Sequence, residues 1–224
     1  MSIVEEIALR QGIRLGILIF GFIAGLAYAV FFCHRSASPL KTIVKLIPMS
    51  AFAVAVAISF GSGAVVLALV LSAFGDFALS RNGERAFLAG LVSFALAHIV
   101  YALFFWQRSD GALADPVILI SLAVFALSTE FWLRPYTGRL KWPVRVYVVL
   151  ISLMGATALG VSSNALVVTG ALMFMASDTL LAMQLFRMAA DAPQQRLVSI
   201  ALWCLYFVGQ FLIVSGVGWY TPLF

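Results

Sequence analysis

Apolar and polar positions in this chain change over on the scale of twenty residues rather than two. Long oily runs, poor in charge, are separated by short segments carrying basic residues, glycine clusters or proline. A helix needs about 20 residues to cross the hydrocarbon of a bilayer. The runs divide into eight such lengths: residues 12–33, 42–60, 63–80, 85–106, 115–133, 143–161, 164–186 and 196–218. Two uncharged stretches are too long for one crossing. Leu46 to Gly75 breaks at SFGSG and a later stretch breaks at GVSSN, small polar strings that reverse a chain readily. Each is predicted to be a helical hairpin. The runs lack the two-residue alternation of a barrel strand, so an all-α membrane helix bundle is the architecture that satisfies the backbone in lipid. The first run follows Glu5 and Glu6 and stays apolar from Leu15 to Phe32, longer than the core of a secretion signal, and is read as a helix of the bundle.

Composition agrees with that pattern. Hydrophobic residues make up 63% of the chain, charged ones 10%, and mean hydropathy is +1.08, the values of an integral membrane protein. Eight spans leave almost no chain outside the bilayer, so residues 1–224 are read as one integral membrane domain with approximate halves 1–110 and 111–224. Charge adds an orientation. Eleven of the 14 Lys and Arg fall in or beside the first, third, fifth and seventh loops, and only Arg10, Arg14 and Arg108 lie on the other side. The positive-inside rule then puts the odd loops in the cytoplasm and both termini outside it, as in a multi-pass protein of the bacterial inner membrane. The net charge of +5 reflects this topology and contact with anionic lipid heads; no basic domain exists to bind nucleic acid.

A weak internal echo runs through the two halves. Leu40-Lys41 and Lys45 precede Asp76 much as Leu140-Lys141 and Arg145 precede Asp178, at offsets of about 100 residues. In each half a basic loop leads into a helix, an uncharged turn, and a helix bearing the aspartate. Four helices plus four would form a parallel repeat related by an axis along the membrane normal, with both aspartates toward one face. Small residues and leucines also match by chance in membrane sequences, and the repeat and the coincidence stand as rival readings.

Of nine acidic residues only Asp76, Glu130 and Asp178 fall in the interior of spans. Counting back from Arg81 and Arg187 at 1.5 Å per residue places Asp76 and Asp178 on the order of 8 and 14 Å inside the basic boundary, close enough in depth to share one cavity. A charge there costs about 3 kcal/mol on insertion scales, so it faces the interior, finds a partner or holds a proton. Two neighbouring carboxyls share protons unequally, which suits one to act as acid and the other as base. The plainer account of either aspartate alone is a helix cap or an interhelical tie.

The strings GDFALS, FALAHIVYALFF and GALMFMASDTLLAMQLF resemble the YhhN-type membrane lysoplasmalogenase family across nearly the whole chain. The resemblance implies an eight-helix protein that hydrolyses the vinyl ether of lysoplasmalogens to a fatty aldehyde and a glycerophosphoethanolamine or glycerophosphocholine, with Asp76 and Asp178 catalytic. It implies a lysophospholipid substrate met in the membrane lipid. The family's K-P-L-P approach to the second helix is represented by KLIPM, which keeps Lys45 and Pro48 with one extra residue between them; A-H-x-x-Y is present as Ala97, His98 and Tyr101, and an early helix-6 tyrosine as Tyr147. Vinyl ether cleavage needs a carboxylic acid to protonate the alkene, a carboxylate to steady the cation and activate water, and a slot for the tail. Asp178, with Phe174, Met175 and Leu181 nearby in sequence, is favoured as the acid.

Several further residues are candidates for binding substrate, each with a structural rival. Ser72 and Ser80 flank Asp76 at four-residue spacing and form a polar stripe with it, expected to face the cavity, although serines also ease helix packing. His98 and Tyr101 share a face of the fourth helix, but His98 counts to about 20 Å from the basic end, favouring a hydrogen bond between helices. Glu130 pairs by spacing with Arg134, or else lines a site wall. Lys45, Arg145 and Lys41 lie at the level of a phosphate head group, where general attraction to anionic lipid explains them equally. Tyr147 lies at the same level as a hydrogen-bond donor, or as an ordinary interfacial tyrosine.

Other chemistries lack their motifs. His34, His98, Cys33 and Cys204 form no CxxC or HExxH spacing, so no metal is expected, and the cysteines read as packing residues. Serine-nucleophile and nucleotide-binding glycine motifs are missing, and no cofactor is expected. A proton-coupled transporter of lipid or amphipathic molecules is the alternative function, since paired intramembrane acids also serve transport. Transporters interrupt helices near the bilayer centre, whereas Pro48 is expected near a helix end. A lysophospholipid hydrolase acting on an ester or phosphodiester would need a similar tail slot.

Overall fold

The structure is a computed structural model that describes residues 3–109, 115–161, 163–189 and 191–217. Among these residues there are eight α-helices and no strand. They are α1 (Ile3–Ala27), α2 (Pro39–Ile58), α3 (Gly63–Leu79), α4 (Glu84–Trp106), α5 (Pro116–Trp132), α6 (Lys141–Leu159), α7 (Ala165–Phe186) and α8 (Gln195–Val217). Seven carry spans long and apolar enough to cross a membrane, and α3, with 17 residues, lies at the short end of the spanning range. The chain is a multi-pass integral membrane protein.

Helix boundaries follow local chemistry. Ser38 caps α2 by accepting from the Lys41 amide at 3.2 Å, with Pro39 in the first turn, where its missing N–H has no partner to lose. Asp115 and Pro116 start α5 the same way. Asn164 caps α7 and reaches across to the Gly216 carbonyl of α8 at 2.8 Å. The short turn between α3 and α4 passes through Gly83 at φ 105°, a region open to glycine.

Three boundaries differ from the sequence expectation. Helix α1 begins at Ile3, not residue 12, because Glu5 and Glu6 occupy its first turn and Arg10 pairs with Glu6 at 2.8 Å. These turns are helical but polar, which a hydropathy reading omits. The same helix ends in a π-helical turn, Tyr28–Phe32. Pro48 lies well inside α2, whose first residue is Pro39, and the helix continues through it. Position 218 of the last predicted span and residue 162 of the GVSSN turn lie outside the described residues.

The helices pack as consecutive hairpins, α1 through α4 in series and α7 against α8, joined by contacts of α4 with α6 and α2 with α8. One close helix approach is glycine on glycine. A Cβ on Gly170 would lie 2.6 Å from the Gly209 carbonyl oxygen, and one on Gly209 would lie 2.8 Å from that of Gly170. Small residues let helices in lipid gain dispersion contact where water supplies no hydrophobic drive. Rings fill the centre: Trp203, Phe207, Phe52, Phe174 and Tyr101 are all buried. Helix α5 is peripheral, with Thr129 its one buried residue, and it rests mainly on α6.

Candidate active site

Asp76 sits in the last turn of α3, and its position is set by its neighbour. Gly75 has no side chain, so the Phe94 ring of α4 lies where a Cβ would be 2.6 Å from it, and the two helices close together over the carboxyl. Asp76 is 2% exposed. Its Oδ1 pairs with Lys45 Nζ of α2 at 2.9 Å, and its Oδ2 accepts from the Tyr206 hydroxyl of α8 at 2.8 Å. Both oxygens thus hold strong donors, one of them charged, which compensates the burial. One turn away, the Tyr101 hydroxyl donates to Gln210 Oε1 at 2.7 Å, and Gln210 Nε2 donates to Ser72 Oγ at 2.9 Å. Ser72 in turn donates to the Ala68 carbonyl. This buried chain links α4, α8 and α3 directly beneath the aspartate.

Asp178 occupies a different setting. Its side chain is 10% exposed, its Oδ2 accepts from the Tyr147 hydroxyl of α6 at 2.5 Å, and His98 Nε2 of α4 lies 3.5 Å from the same oxygen. His98 is fully buried and neither ring nitrogen has a hydrogen-bonding partner. At 3.5 Å the imidazole stands just beyond a hydrogen bond. It is held edge-on to Tyr147, with ring centroids 5.3 Å apart, and tilted against Phe174 at 4.7 Å.

Asp178 opens onto a narrow apolar groove bordered by α4, α5, α6 and α7, with a cavity volume of about 60 Å³. Phe87, Leu91, Phe125, Trp132, Leu185 and Phe186 are among its walls, and Thr129, Tyr147, Asp178 and Thr179 are its few polar members. Asp76 is not part of the wall. Lys45 and Ser80 instead face a separate small polar pocket, and Leu79 borders both spaces. Lys45, the partner of Asp76, lines the second pocket, so the two aspartates are linked to spaces that share Leu79 as a border.

The other candidates distribute unevenly. Ser80 donates to the Asp76 carbonyl at 2.7 Å, closing the end of α3. Arg145 turns away from both aspartates: it forks onto Glu130, one bond measuring 2.6 Å, while Arg134 stands 3.5 Å from Glu130. The sequence pairing of Glu130 with Arg134 is therefore the looser of two, because α6 brings a guanidinium within bidentate reach. Lys45 belongs to Asp76. His98, counted at about 20 Å from the basic end, meets Asp178, itself counted at about 14 Å.

Tyr206 and Gln210 were not foreseen. Their signal was present: a tyrosine and a glutamine four apart on one face of an otherwise apolar helix, the same i to i+4 logic that drew attention to Ser72 and Asp76. Asp178 follows Asp76 by 102 residues, and Tyr147 follows Lys45 by the same 102, a register two residues longer than the one that matches Lys45 with Arg145. Each aspartate takes its second neighbour from the opposite half, Tyr206 for Asp76 and His98 for Asp178. Among the described residues no group of three or more His, Cys, Asp or Glu is placed to hold a metal ion.

Comparison with known proteins gives one family. The YhhN family model matches residues 40–217. A Mycobacterium bovis protein named lysoplasmalogenase is 31% identical over 214 residues, covering 86% of this chain and 80% of its own length. Lysoplasmalogenase TMEM86A of Bos taurus is 30% identical over 158 residues, 66% of this chain and 62% of its own. Lysoplasmalogenase TMEM86B of Sus scrofa is 35% identical over 156 residues, 67% of this chain and 61% of its own. No solved structure matches the chain.

Proposed function

Because the chain belongs to the YhhN family, we propose that it is a lysoplasmalogenase, an ether hydrolase that releases a fatty aldehyde from the vinyl ether of a lysoplasmalogen. The partner product is glycerophosphoethanolamine or glycerophosphocholine. The observation that carries this reading is a carboxyl in the wall of an apolar groove, with a phenol donating to it and an unpaired imidazole beside it. The apolar lining of the groove suits a hydrocarbon tail, and a weakly polar ether linkage would lie at its few polar members.

The two aspartates divide the labour by their neighbours. Lys45 favours the carboxylate form of Asp76, whereas Asp178 has a phenol and an imidazole rather than a permanent cation. Asp178 is assigned the proton, carried on Oδ1 because Oδ2 accepts from Tyr147. Asp178 transfers that proton to the alkene carbon remote from the ether oxygen, leaving an oxocarbenium ion next to a new carboxylate. Water adds to the cationic carbon and its proton passes to Asp76. The resulting hemiacetal collapses as Asp76 returns a proton to the departing glyceryl oxygen and Asp178 removes the hydroxyl proton. Aldehyde and alcohol leave, and both aspartates are reset.

The basic end of the bundle, which carries this site, is placed at the cytoplasmic side by the positive-inside rule. The activity is tested with purified protein in detergent, given a lysoplasmalogen and the saturated 1-alkyl analogue of equal chain length. Aldehyde is expected from the vinyl ether alone, and in deuterated water it carries one deuterium on the carbon next to the carbonyl. No aldehyde from the vinyl ether, or unlabelled aldehyde, contradicts the proposal.

A further inference from the structure

A small polar pocket beside Asp76 has no part in the chemistry above. It lies between the π-helical turn that ends α1, the first turns of α2 and the end of α3, with a cavity volume of about 120 Å³. Tyr28, Lys41, Lys45, Arg81 and Asn82 line it, and no acidic side chain does. We infer that this pocket is the subsite for the phosphodiester of the substrate; the inference rests on the lysolipid reading above.

Two of the three cations are already fixed in place. Lys41 Nζ donates to the Cys33 and Arg35 carbonyls, at 3.2 Å and 2.5 Å, which ties down the α1–α2 turn and leaves the third ammonium hydrogen for a ligand. Lys45 spends one hydrogen on Asp76 and keeps two. Arg81 is exposed, with its guanidinium 4.7 Å from the centre of the Phe77 ring, where it is free to fork onto phosphate oxygens. Cations held in this way bind an anion with little further loss of side-chain freedom. Tyr28 brings a phenol from the π turn, whose irregular winding is a common feature of functional sites.

Placement completes the argument. Leu79 borders both this pocket and the apolar groove, and Lys45 joins the pocket to Asp76. A lysoplasmalogen carries its vinyl ether and its phosphate at the two ends of a three-carbon glycerol. With the tail in the groove and the ether at Asp178, the phosphate falls on the far side of Leu79, among the cations. Arginine at such a site recognises the phosphate itself, so the pocket selects a phosphorylated lipid over a bare alkenylglycerol.

The test measures binding separately from turnover. Wild-type protein in non-ionic detergent is titrated with a saturated 1-alkyl lysophospholipid and with the 1-alkylglycerol of the same chain, neither of which can be hydrolysed by this chemistry. Wild type is expected to bind the phosphorylated lipid about tenfold more tightly, and Arg81→Gln to remove most of that difference while leaving alkylglycerol binding unchanged. Arg81→Lys should recover part of it, and millimolar inorganic phosphate should weaken only the phosphorylated lipid. Equal loss for both ligands in Arg81→Gln, or no loss for either, overturns the inference. A diacyl phospholipid that competes as well as the lysolipid assigns the pocket to bilayer lipid and likewise overturns it. If wild type shows the binding difference but releases no aldehyde from a vinyl ether, the lysoplasmalogenase reading fails while the phosphate site stands; if aldehyde is released without the binding difference, the subsite alone fails.

Discussion

Tyr147 and Tyr206 each donate to one oxygen of an aspartate, yet they differ in what else surrounds that carboxyl. Tyr206 shares Asp76 with Lys45, so its removal leaves a charge-assisted partner in place. Among the described residues Tyr147 is the one hydrogen-bond donor to Asp178, with His98 at 3.5 Å. Tyr147→Phe is therefore expected to lower kcat by about 10²-fold, the scale of losing one preorganised donor at a reacting group, and Tyr206→Phe by distinctly less. Steady-state aldehyde release by the two purified variants checks the ordering; equal effects contradict it. His98→Asn, which preserves size and polarity better than Ala, should lower kcat with KM little changed if the imidazole acts through Asp178, because it is buried behind that residue rather than on the groove wall. Much at this scale was legible beforehand. An aspartate in an oily run is conspicuous because it is costly there, so Asp76 and Asp178 could be picked from the sequence alone. Their partners could not, since Tyr206 lies 130 positions from Asp76 and only packing reveals which face of α8 meets α3.

Helix against helix, the site depends on close approach. Asp76 receives Tyr206 only because α8 lies deep in the bundle, and α8 is seated against α7 through Gly170 and Gly209. Gly209→Val would drive a side chain into the Gly170 carbonyl and the α7 backbone, and backbone cannot move aside as a flexible side chain can. A loss of about 2 kcal/mol or more is expected, read as a lower apparent Tm of the detergent-solubilised protein, whereas Gly12→Val, with open space around it, should leave Tm unchanged. Equal behaviour of the two variants would remove the glycine contact as a determinant of the bundle. Element positions were the most legible feature of the sequence, since continuous apolar runs and their punctuation by SFGSG, charged turns and proline follow directly from bilayer thickness. What escaped was polar helix: the first turns of α1 carry Glu5, Glu6 and Arg10, which satisfy a helix without satisfying a hydropathy pattern. The meeting of His98 with Asp178 escaped for a related reason, because counting from a helix end gives a depth but not the neighbour a side chain meets.

For the molecule as a whole, the equal 102-residue spacing of Lys45 with Tyr147 and of Asp76 with Asp178 favours two halves built on one plan. We propose that the halves are a parallel repeat whose equivalent sites have diverged, one keeping a lysine beside its aspartate and the other a tyrosine. That substitution is what separates a charged carboxylate from a proton donor in the proposed mechanism. Lys45→Met should therefore damage turnover far more than it damages folding, with kcat falling about 10²-fold or more because Asp76 loses its cation. The whole-molecule charge asymmetry makes a separate statement. Single cysteines placed at Arg139 and Arg108 in a Cys33→Ser/Cys204→Ser background should label from opposite sides of sealed vesicles, with Arg139 on the cytoplasmic side; labelling from the same side contradicts the orientation.

The account turns on a proton held by Asp178 at the groove and a carboxylate at Asp76 behind it. Its most direct test is aldehyde release from lysoplasmalogen by Asp178→Asn, with the variant's folding verified by elution profile and Tm. An amide of the same shape cannot deliver the proton, and turnover is expected to fall by at least about 10³-fold with tail binding retained. Turnover within about tenfold of wild type in a correctly folded Asp178→Asn protein would contradict the assignment, since nothing else on the groove wall carries a carboxylic acid.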